Sequence, residues 1–210
     1  MFHLAGRLYN RTMNRSGVVF TIVTLLWIAA IGAGMLVLLK HDYTPGITKT
    51  PAIHWPYDSQ LRLANSCPTL IMFAHPQCPC TRASITELAR LIASCKTKFK
   101  AYVLLFEPTV TPEGWDKTAL WYSAKAIPGV TVLRDMDGIE AQRFHSTTSG
   151  QTMIYNPQGD LLFNGGITIS RGHEGDNLGF DLAKLAINTS RSSNSQTPVF
   201  GCSIVTLNKK

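Results

Sequence analysis

Two cysteines separated by a single proline, Cys78-Pro79-Cys80, are the residues of this chain best suited to chemistry. A thiolate is a nucleophile and a soft-metal ligand, and its reactivity depends on the pKa of the thiol. The motif follows an apolar run and precedes a stretch of helical spacing, so Pro79 fits the first helical position. Cys80 is then the second helical residue and Cys78 the N-cap, where free N–H groups and the helix dipole lower a thiol pKa. We therefore expect Cys78 to be the nucleophile.

A glycine-rich loop and a cysteine near the C-terminus supply further candidates. The loop, residues 165–176 (GGITISRGHEGD), carries Arg171 and His173, and a histidine there could shuttle protons or ligate a soft metal. An ordinary polar loop is the alternative. Cys202 lies in the apolar stretch VFGCSIVTL, which should dock on the domain. It is a candidate resolving thiol or third metal ligand beside Cys78, or else a buried, unreactive cysteine.

The remaining cysteines, Cys67 and Cys95, are candidates for a structural disulfide. A strand from Cys67 to residue 75 would rise about 26 Å, and a helix from Cys80 to Cys95 would return about 22 Å. Strand and helix run antiparallel in a β-α unit, so the two cysteines would lie at the same level. An oxidising compartment would favour the bond, and two buried free thiols are the alternative.

Hydrophobic periodicity predicts the elements that position these residues. The expected strands are residues 69–75, 101–106, 130–133, 152–155 and 161–163. The expected helices are residues 81–95, a segment that starts at Pro112 and stops at Pro128-Gly129, residues 138–144, and residues around 178–186. The second of these helices would bury Trp115, Ala119, Tyr122 and Ala126. The order β-α-β-α-β-α-β-β-α predicts a mainly parallel central sheet covered on both faces and closed by an antiparallel hairpin.

Three segments resemble the thioredoxin-like proteins, and the element order is that of the thioredoxin fold with an extra β-α insertion. FAHPQCPCTRASITELARL is similar to their strand, cysteine motif and helix, DMDGIEAQRF to their short third helix, and TMIYNPQGDLLFNGG to their closing hairpin. The resemblance covers about residues 65–190 and implies an α/β domain with a central mixed sheet. More narrowly, HPQCPC, GGITISRGHEGDN and VFGC resemble the membrane-anchored redox family RedB.

The chain departs from the thioredoxin pattern at two positions. Thioredoxins carry Cys-x-x-Cys, whereas Cys78 and Cys80 are one residue closer, so a disulfide between them would be strained and oxidising. Gln151 stands where the family has a cis-proline before the hairpin strand. In the family that proline helps to dock substrate cysteines and discourages metal binding, so its replacement leaves room for a metal.

The resemblance and the cysteines together predict a thiol–disulfide oxidoreductase that acts on protein thiols or disulfides without a cofactor. Cys78 would attack the substrate, and Cys80 or Cys202 would resolve the mixed disulfide, with Arg171 and His173 beside them. The alternative is a protein that binds or delivers Cu(I) on Cys78, Cys80 and either Cys202 or His173. A thiol peroxidase is not favoured, because the chain has no Thr-x-x-Cys arrangement.

An uncharged stretch near the N-terminus predicts a membrane anchor. Residues 17–39 form 23 uncharged positions, which as a helix span roughly 34 Å, enough for a bilayer core. Arg7, Arg11 and Arg15 precede them, so the positive-inside rule places the N-terminus in the cytoplasm and the domain outside, most simply in a periplasm. A cleaved signal peptide is the alternative, but the apolar run is too long and no small-x-small site follows it.

Charge and composition argue against a nucleic-acid partner and outline the domains. The net charge is +7, but residues 41–210 carry sixteen cations and thirteen anions without a basic stripe. Three prolines after the anchor favour an extended linker. The expected organisation is a cytoplasmic N-terminus (1–16), an anchor (17–39), a linker (40–59), a thioredoxin-like domain (60–190) and a tail with Cys202 (191–210).

Overall fold

The computed structural model describes residues 2–110, 114–115, 117–191 and 196–204, and the chain divides into two units between His41 and Asp42. The first unit is almost all of helix α1 (Phe2–Asp42). Its part from Arg15 to Asp42 is long and apolar enough to cross a membrane, by length and composition alone. The hydroxyls of Thr21 and Thr24 in this stretch donate to carbonyls of their own helix at 2.9 Å, so neither needs a partner elsewhere.

The second unit is built on a five-stranded mixed sheet. Its strands are β1 (Thr69–Ala74), β2 (Lys100–Glu107), β3 (Val130–Met136), β4 (Gln151–Tyr155) and β5 (Leu161–Gly165). The spatial order is β3-β2-β1-β4-β5, with β1, β2 and β3 parallel and β4 antiparallel to both of its neighbours. Helices follow β1, β2, β3 and β5, as the periodicity predicts. The α/β, thioredoxin-like fold class with a mixed central sheet is confirmed.

Among the described residues, four helices and two apolar clusters cover the sheet. The helices are α2 (Thr81–Ser94), α3 (Ala119–Lys125), α4 (Ile139–Arg143) and α5 (Leu178–Thr189). One cluster joins sheet residues such as Leu70 to Leu88 of α2 and Ala183 of α5. The other joins the alternate sheet residues, such as Phe73, to Phe144 beside α4. Each central strand is therefore buried on both faces, which places the carboxyl end of β1 at the edge of a rigid core.

Helix α3 differs from the sequence prediction in length and in its buried face. It begins at Ala119, and the predicted start at Pro112 lies outside the described residues. It buries Leu120 and Ala124, while the predicted Ala119, Tyr122 and Ala126 are exposed. The predicted face was wrong because it took Trp115 as its first member. Trp115 precedes the helix and packs against His75 and Phe106 instead.

Part of the predicted linker packs against the domain. Trp55 lies edge-on to Phe144 and Tyr155, with ring centroids 5.1 and 5.3 Å apart. The Tyr155 hydroxyl donates to the carbonyl of Ala52 at 2.7 Å, whereas Tyr57 is fully exposed. Trp55 therefore holds this segment on the domain, and Tyr57 does not.

Candidate active site

The cysteine motif forms a tight turn between β1 and α2. The Cys78 N–H donates to the His75 carbonyl at 3.0 Å, and Thr81 N–H donates to the Cys78 carbonyl at 3.2 Å. Helix α2 begins at Thr81 with Cys80 as its N-cap, and Cys80 makes no side-chain capping bond. The prediction that Cys78 is the N-cap and Cys80 lies inside the helix was wrong. The bond from Thr81 to Cys78 spans three residues, so a tighter turn precedes the first α-helical bond.

The structure brings Cys202 directly to Cys78. Their sulfur atoms lie 3.0 Å apart, although the residues are 124 positions apart in sequence. The main-chain N–H of Cys202 also points at the Cys78 sulfur, at 3.4 Å. Cys78 is only 1% exposed, while Cys202 and Cys80 are half-buried. The two sulfurs are thus in hydrogen-bond contact within a largely dry site.

The surroundings of Cys78 favour its thiolate. Burial raises the pKa of Cys78, but hydrogen bonds from Cys202 and from the hydroxyl and N–H of Thr81 together outweigh burial and leave its pKa below the ordinary value. The pKa of Cys202 is raised to about 12 by burial and by the neighbouring Cys78. Burial, with the charge of Cys78, also raises the pKa of Cys80. Of the three thiols, Cys78 is therefore the one that loses its proton most readily.

Arg171 joins this site, as the loop position predicts. Its guanidinium donates from Nη1 to the Gly201 carbonyl at 2.8 Å and from Nε to the Thr44 carbonyl at 3.1 Å. The same group acts on Cys80 and Cys202, where it opposes the rise in their pKa values. Arg171 thus supplies positive charge next to the thiols and holds the residue that precedes Cys202.

His173 has other partners than the cysteines. Its Nδ1 lies 2.7 Å from the Arg171 carbonyl and 3.0 Å from the Ser170 hydroxyl, and the residue is exposed. Within the described part of the chain, no hydrogen bond links His173 to a cysteine. Its contacts with Ser170 and Arg171 instead stabilise the turn that contains Arg171.

The copper hypothesis gains no support from the geometry. Among the described residues, no group of three or more His, Cys, Asp or Glu side chains is arranged to hold a metal ion. His173, which was proposed as a ligand in place of Cys202, contacts the Arg171 carbonyl rather than the sulfurs of the cysteines.

Two buried hydroxyls next to Cys78 were not anticipated from the sequence. The Thr81 hydroxyl interacts with Cys78 and lies 2.6 Å from the hydroxyl of Ser149, which accepts from the main-chain N–H of His75 at 2.7 Å. One indication of a role for Thr81 was present in the sequence, since this residue directly follows the cysteine motif. Ser149 comes from a loop 68 residues away from Thr81, and no local pattern marks it.

Gln151 holds this loop in place. Its Nε2 donates to Asn164 Oδ1 at 2.8 Å, and its Oε1 accepts from the Ser146 hydroxyl at 3.1 Å and the Thr147 N–H at 3.2 Å. Gln151 is completely buried in β4 opposite Phe73. A hydrogen-bonded amide therefore orders the loop at the position where the thioredoxin-like pattern has proline.

A cleft borders the other side of Cys78. Its volume is about 300 Å³, and its walls include Gln77, Arg82, Thr118 and Leu120. The ring of His75 stacks on Phe106 nearby, with centroids 5.8 Å apart, and burial lowers the pKa of His75. His75 is therefore a neutral packing residue rather than a positive charge for the thiolate.

The predicted disulfide between Cys67 and Cys95 is absent from the structure, where both residues are free thiols. Cys95 ends α2 and packs against the cluster shared with α5, and the charge of Lys184 on α5 acts on it. All five cysteines of the chain are free in this structure, Cys78 and Cys202 included, so the bond between Cys67 and Cys95 stays a prediction.

Comparison with known structures shows a shared fold. An uncharacterised conserved protein from Geobacillus kaustophilus superposes with a TM-score of 0.53 at 18% identity, over 77% of this chain and 92% of that chain. A hypothetical protein from Sinorhizobium meliloti gives a TM-score of 0.53 at 19% identity, over 78% and 94%. A secreted disulfide oxidoreductase of Mycobacterium tuberculosis is more distant, with a TM-score of 0.40 and 15% identity over 58% and 80%. The first two structures share the fold of this chain.

No protein-family model matches this chain, and no curated protein matches it in sequence. The narrower resemblance to RedB therefore stays a prediction.

Proposed function

We propose that this protein is a thiol–disulfide oxidoreductase whose redox pair is Cys78 and Cys202. The observation that carries the proposal is the 3.0 Å contact between their sulfur atoms. A disulfide bond is about 2.05 Å long, so the sulfurs need to approach by only about 1 Å to bond. Cys78, with its lowered pKa, is the nucleophile of the pair.

The reaction consists of two thiol–disulfide exchanges. The Cys78 thiolate attacks a protein disulfide, the bond between Cys78 and the substrate forms, and the first substrate sulfur leaves as a thiolate that takes up a proton. Cys202 then attacks the Cys78 sulfur and passes its proton to the second departing thiolate. Two electrons reach the substrate, and Cys78 and Cys202 become a disulfide. An external dithiol restores the pair by the same exchanges, which also run in reverse.

Cys202 is a better partner for Cys78 than Cys80 is. A bond between Cys78 and Cys80 would close a ring across Pro79 alone and would be strained. Cys202 approaches from a separate segment and meets no such restriction. Formation of the mixed disulfide also removes the Cys78 charge, which is one cause of the raised pKa of Cys202, so the resolving thiol is activated when it is needed.

The proposal includes a membrane tether through α1, with the domain on the outer side. It is supported by the apolar stretch from Arg15 to Asp42 and by the arginines that precede it. A reporter that is active only outside the cytoplasm, fused at the C-terminus, should be active. Activity of a cytoplasm-only reporter at the same position would contradict this topology.

Disulfide mapping of the oxidised full-length protein tests the redox pair. We expect the tryptic peptide that contains Cys202 to be joined to the peptide that contains Cys78, and the link to persist in Cys80→Ser and Cys67→Ser. Cys78→Ser should abolish both the link and the reaction of the reduced protein with a small chromogenic disulfide. A Cys78–Cys80 bond in the wild type, or full activity of Cys78→Ser, would overturn the proposal.

A further inference from the structure

The segment that carries Cys202 pairs with the loop before β4 as one strand pairs with another. The Ser149 N–H donates to the Cys202 carbonyl at 2.8 Å, and the Ile204 N–H donates to the Thr147 carbonyl at 2.9 Å. Between these bonds Thr148 and Ser203 form an antiparallel bridge. Residues 147–149 therefore offer a short main-chain edge, which we call the docking edge. Residues 202–204 of the C-terminal segment, which we define as residues 196–204, are paired with it.

The C-terminal segment fits this edge tightly. A Cβ atom on Gly201 would lie 1.9 Å from the Ser149 carbonyl oxygen, which is far inside any tolerated contact, so only glycine allows this approach. Arg171 donates to the Gly201 carbonyl at 2.8 Å, and the buried Ile204 packs in the cluster around Phe73. The segment is therefore held in place by main-chain hydrogen bonds, by the close approach of Gly201 to Ser149 and by the buried side chain of Ile204.

The seated segment limits access to Cys78. Cys78 is 1% exposed, and the sulfur and N–H of Cys202 both contact its sulfur. The main-chain groups of Thr147 and Ser149 beside it are already paired with the segment. A protein strand that presents a disulfide to Cys78 along this edge needs the same groups, so the two cannot be present together.

We propose that the docking edge binds an extended, cysteine-bearing segment of a protein substrate, and that the C-terminal segment is a built-in stand-in for it. The proposal rests on the proposed function and names its substrate class. Strand addition supplies affinity from main-chain bonds to residues 147–149, and a glycine before the substrate cysteine allows close approach to Ser149.

The exchange of one strand for the other fits the two chemical steps. The substrate strand displaces the C-terminal segment and places its disulfide at Cys78, where the mixed disulfide forms. The C-terminal segment then returns to residues 147–149, and this brings Cys202 back to the Cys78 sulfur. The same movement expels the reduced strand and resolves the bond.

A peptide of residues 196–204, QTPVFGCSI, coupled through its cysteine to a chromogenic thiol, is the probe. The control probe has the same composition in scrambled order, and a small chromogenic disulfide reports Cys78 reactivity alone. Each is mixed with the reduced full-length protein in detergent, as wild type, as Gly201→Ala and as Gly34→Ala. Gly201→Ala pushes the segment off Ser149 and keeps Cys202, whereas a Cβ on Gly34 of α1 meets no atom within 4 Å, so Gly34→Ala serves as the matched control.

We expect Gly201→Ala to react with the ordered peptide about tenfold faster than wild type. The reason is that the substitution should weaken the docking of the C-terminal segment by about two hydrogen bonds. Gly34→Ala should behave as wild type, and the ordered peptide should react faster than the scrambled one. Equal rates for the two peptides on the unaltered chain would overturn the proposal even if Gly201→Ala does not fold. A folded Gly201→Ala variant with wild-type rates would overturn it too. If the small disulfide reacts with none of the proteins, the proposed function itself fails.

Discussion

The hydroxyl oxygens of Thr81 and Ser149 lie 2.6 Å apart, and both side chains are fully buried. Because the Ser149 oxygen accepts from the His75 N–H at 2.7 Å, its own hydrogen can be donated to Thr81. The Thr81 hydrogen is then directed at the Cys78 sulfur. A loop far away in sequence thus orients the hydroxyl that stabilises the thiolate.

Thr81→Val should raise the pKa of Cys78, because it removes the hydroxyl donor and keeps the shape of the side chain. Loss of one hydrogen bond to a charged group disfavours the thiolate, so the thiol should lose its proton at a higher pH than in wild type. The ultraviolet absorbance of the thiolate, followed against pH in the reduced protein, measures the change. Thr86→Val is the matched control, since the Thr86 hydroxyl donates only to the Arg82 carbonyl of its own helix. An unchanged titration of Thr81→Val would contradict this role.

The lowered pKa of Cys78 links stability to pH. A group whose pKa falls on folding stabilises the fold above its unfolded-state pKa, and that stabilisation is lost as pH falls through the folded-state pKa. The free energy of unfolding of the reduced protein should therefore rise with pH towards about 8.5, the ordinary thiol value. Denaturant titrations at several pH values should show a smaller rise in Cys78→Ser. Cys67→Ser, which removes a thiol outside the site, should keep the wild-type slope, and a wild-type slope in Cys78→Ser would refute the linkage.

The sheet and its order were predictable because each buried element has a local signature. The strand Thr69–Ala74 is buried throughout and apolar from Leu70 onwards, as a strand covered on both faces requires. The spacing of Ile85, Leu88 and Ile92 marks one face of α2. Helix α3 was predicted less well, because seven residues are only about two helical turns and show little hydrophobic periodicity. Trp115, which was included in its buried face, packs against His75 instead.

The site was only partly predictable, since its decisive contacts are not local. The loop position indicated Arg171, and the apolar tail indicated that Cys202 docks, but the 3.0 Å contact with Cys78 depends on how two distant segments pair. Ser149 has no sequence signal, because its role follows from Gln151 and the docking edge. His173 has the right chemistry in the right loop, yet the turn directs its Nδ1 to the Arg171 carbonyl.

Arg171→Lys should slow resolution of the mixed disulfide. The guanidinium donates from two different nitrogens to the carbonyls of Thr44 and Gly201, whereas the lysine ammonium has only one nitrogen and cannot reach both. The segment around Cys202 should therefore be held less firmly. We expect a several-fold longer lifetime of the mixed disulfide with a chromogenic peptide, measured by quenching with acid and mass analysis. Arg191→Lys, at an exposed position after α5, is the control. Equal lifetimes in Arg171→Lys and Arg191→Lys would show that the guanidinium does not hold the segment.

Glu87→Ala should weaken both the fold and the exchange reaction. Glu87 is fully buried on α2 and accepts from Arg90 Nη1 at 2.8 and 2.9 Å. It also accepts from the Gly175 N–H at 2.8 Å. Glu87 therefore connects the loop that contains Arg171 to helix α2. Loss of the acceptor for the Gly175 N–H and of the ion pair with Arg90 should cost about 2 kcal/mol in the free energy of unfolding. Glu174→Ala removes an exposed carboxylate from the same loop and should change it by less than about 0.5 kcal/mol. Denaturant unfolding and the exchange rate are measured on both variants, and a stable Glu87→Ala with wild-type exchange would show that the loop is held by other contacts.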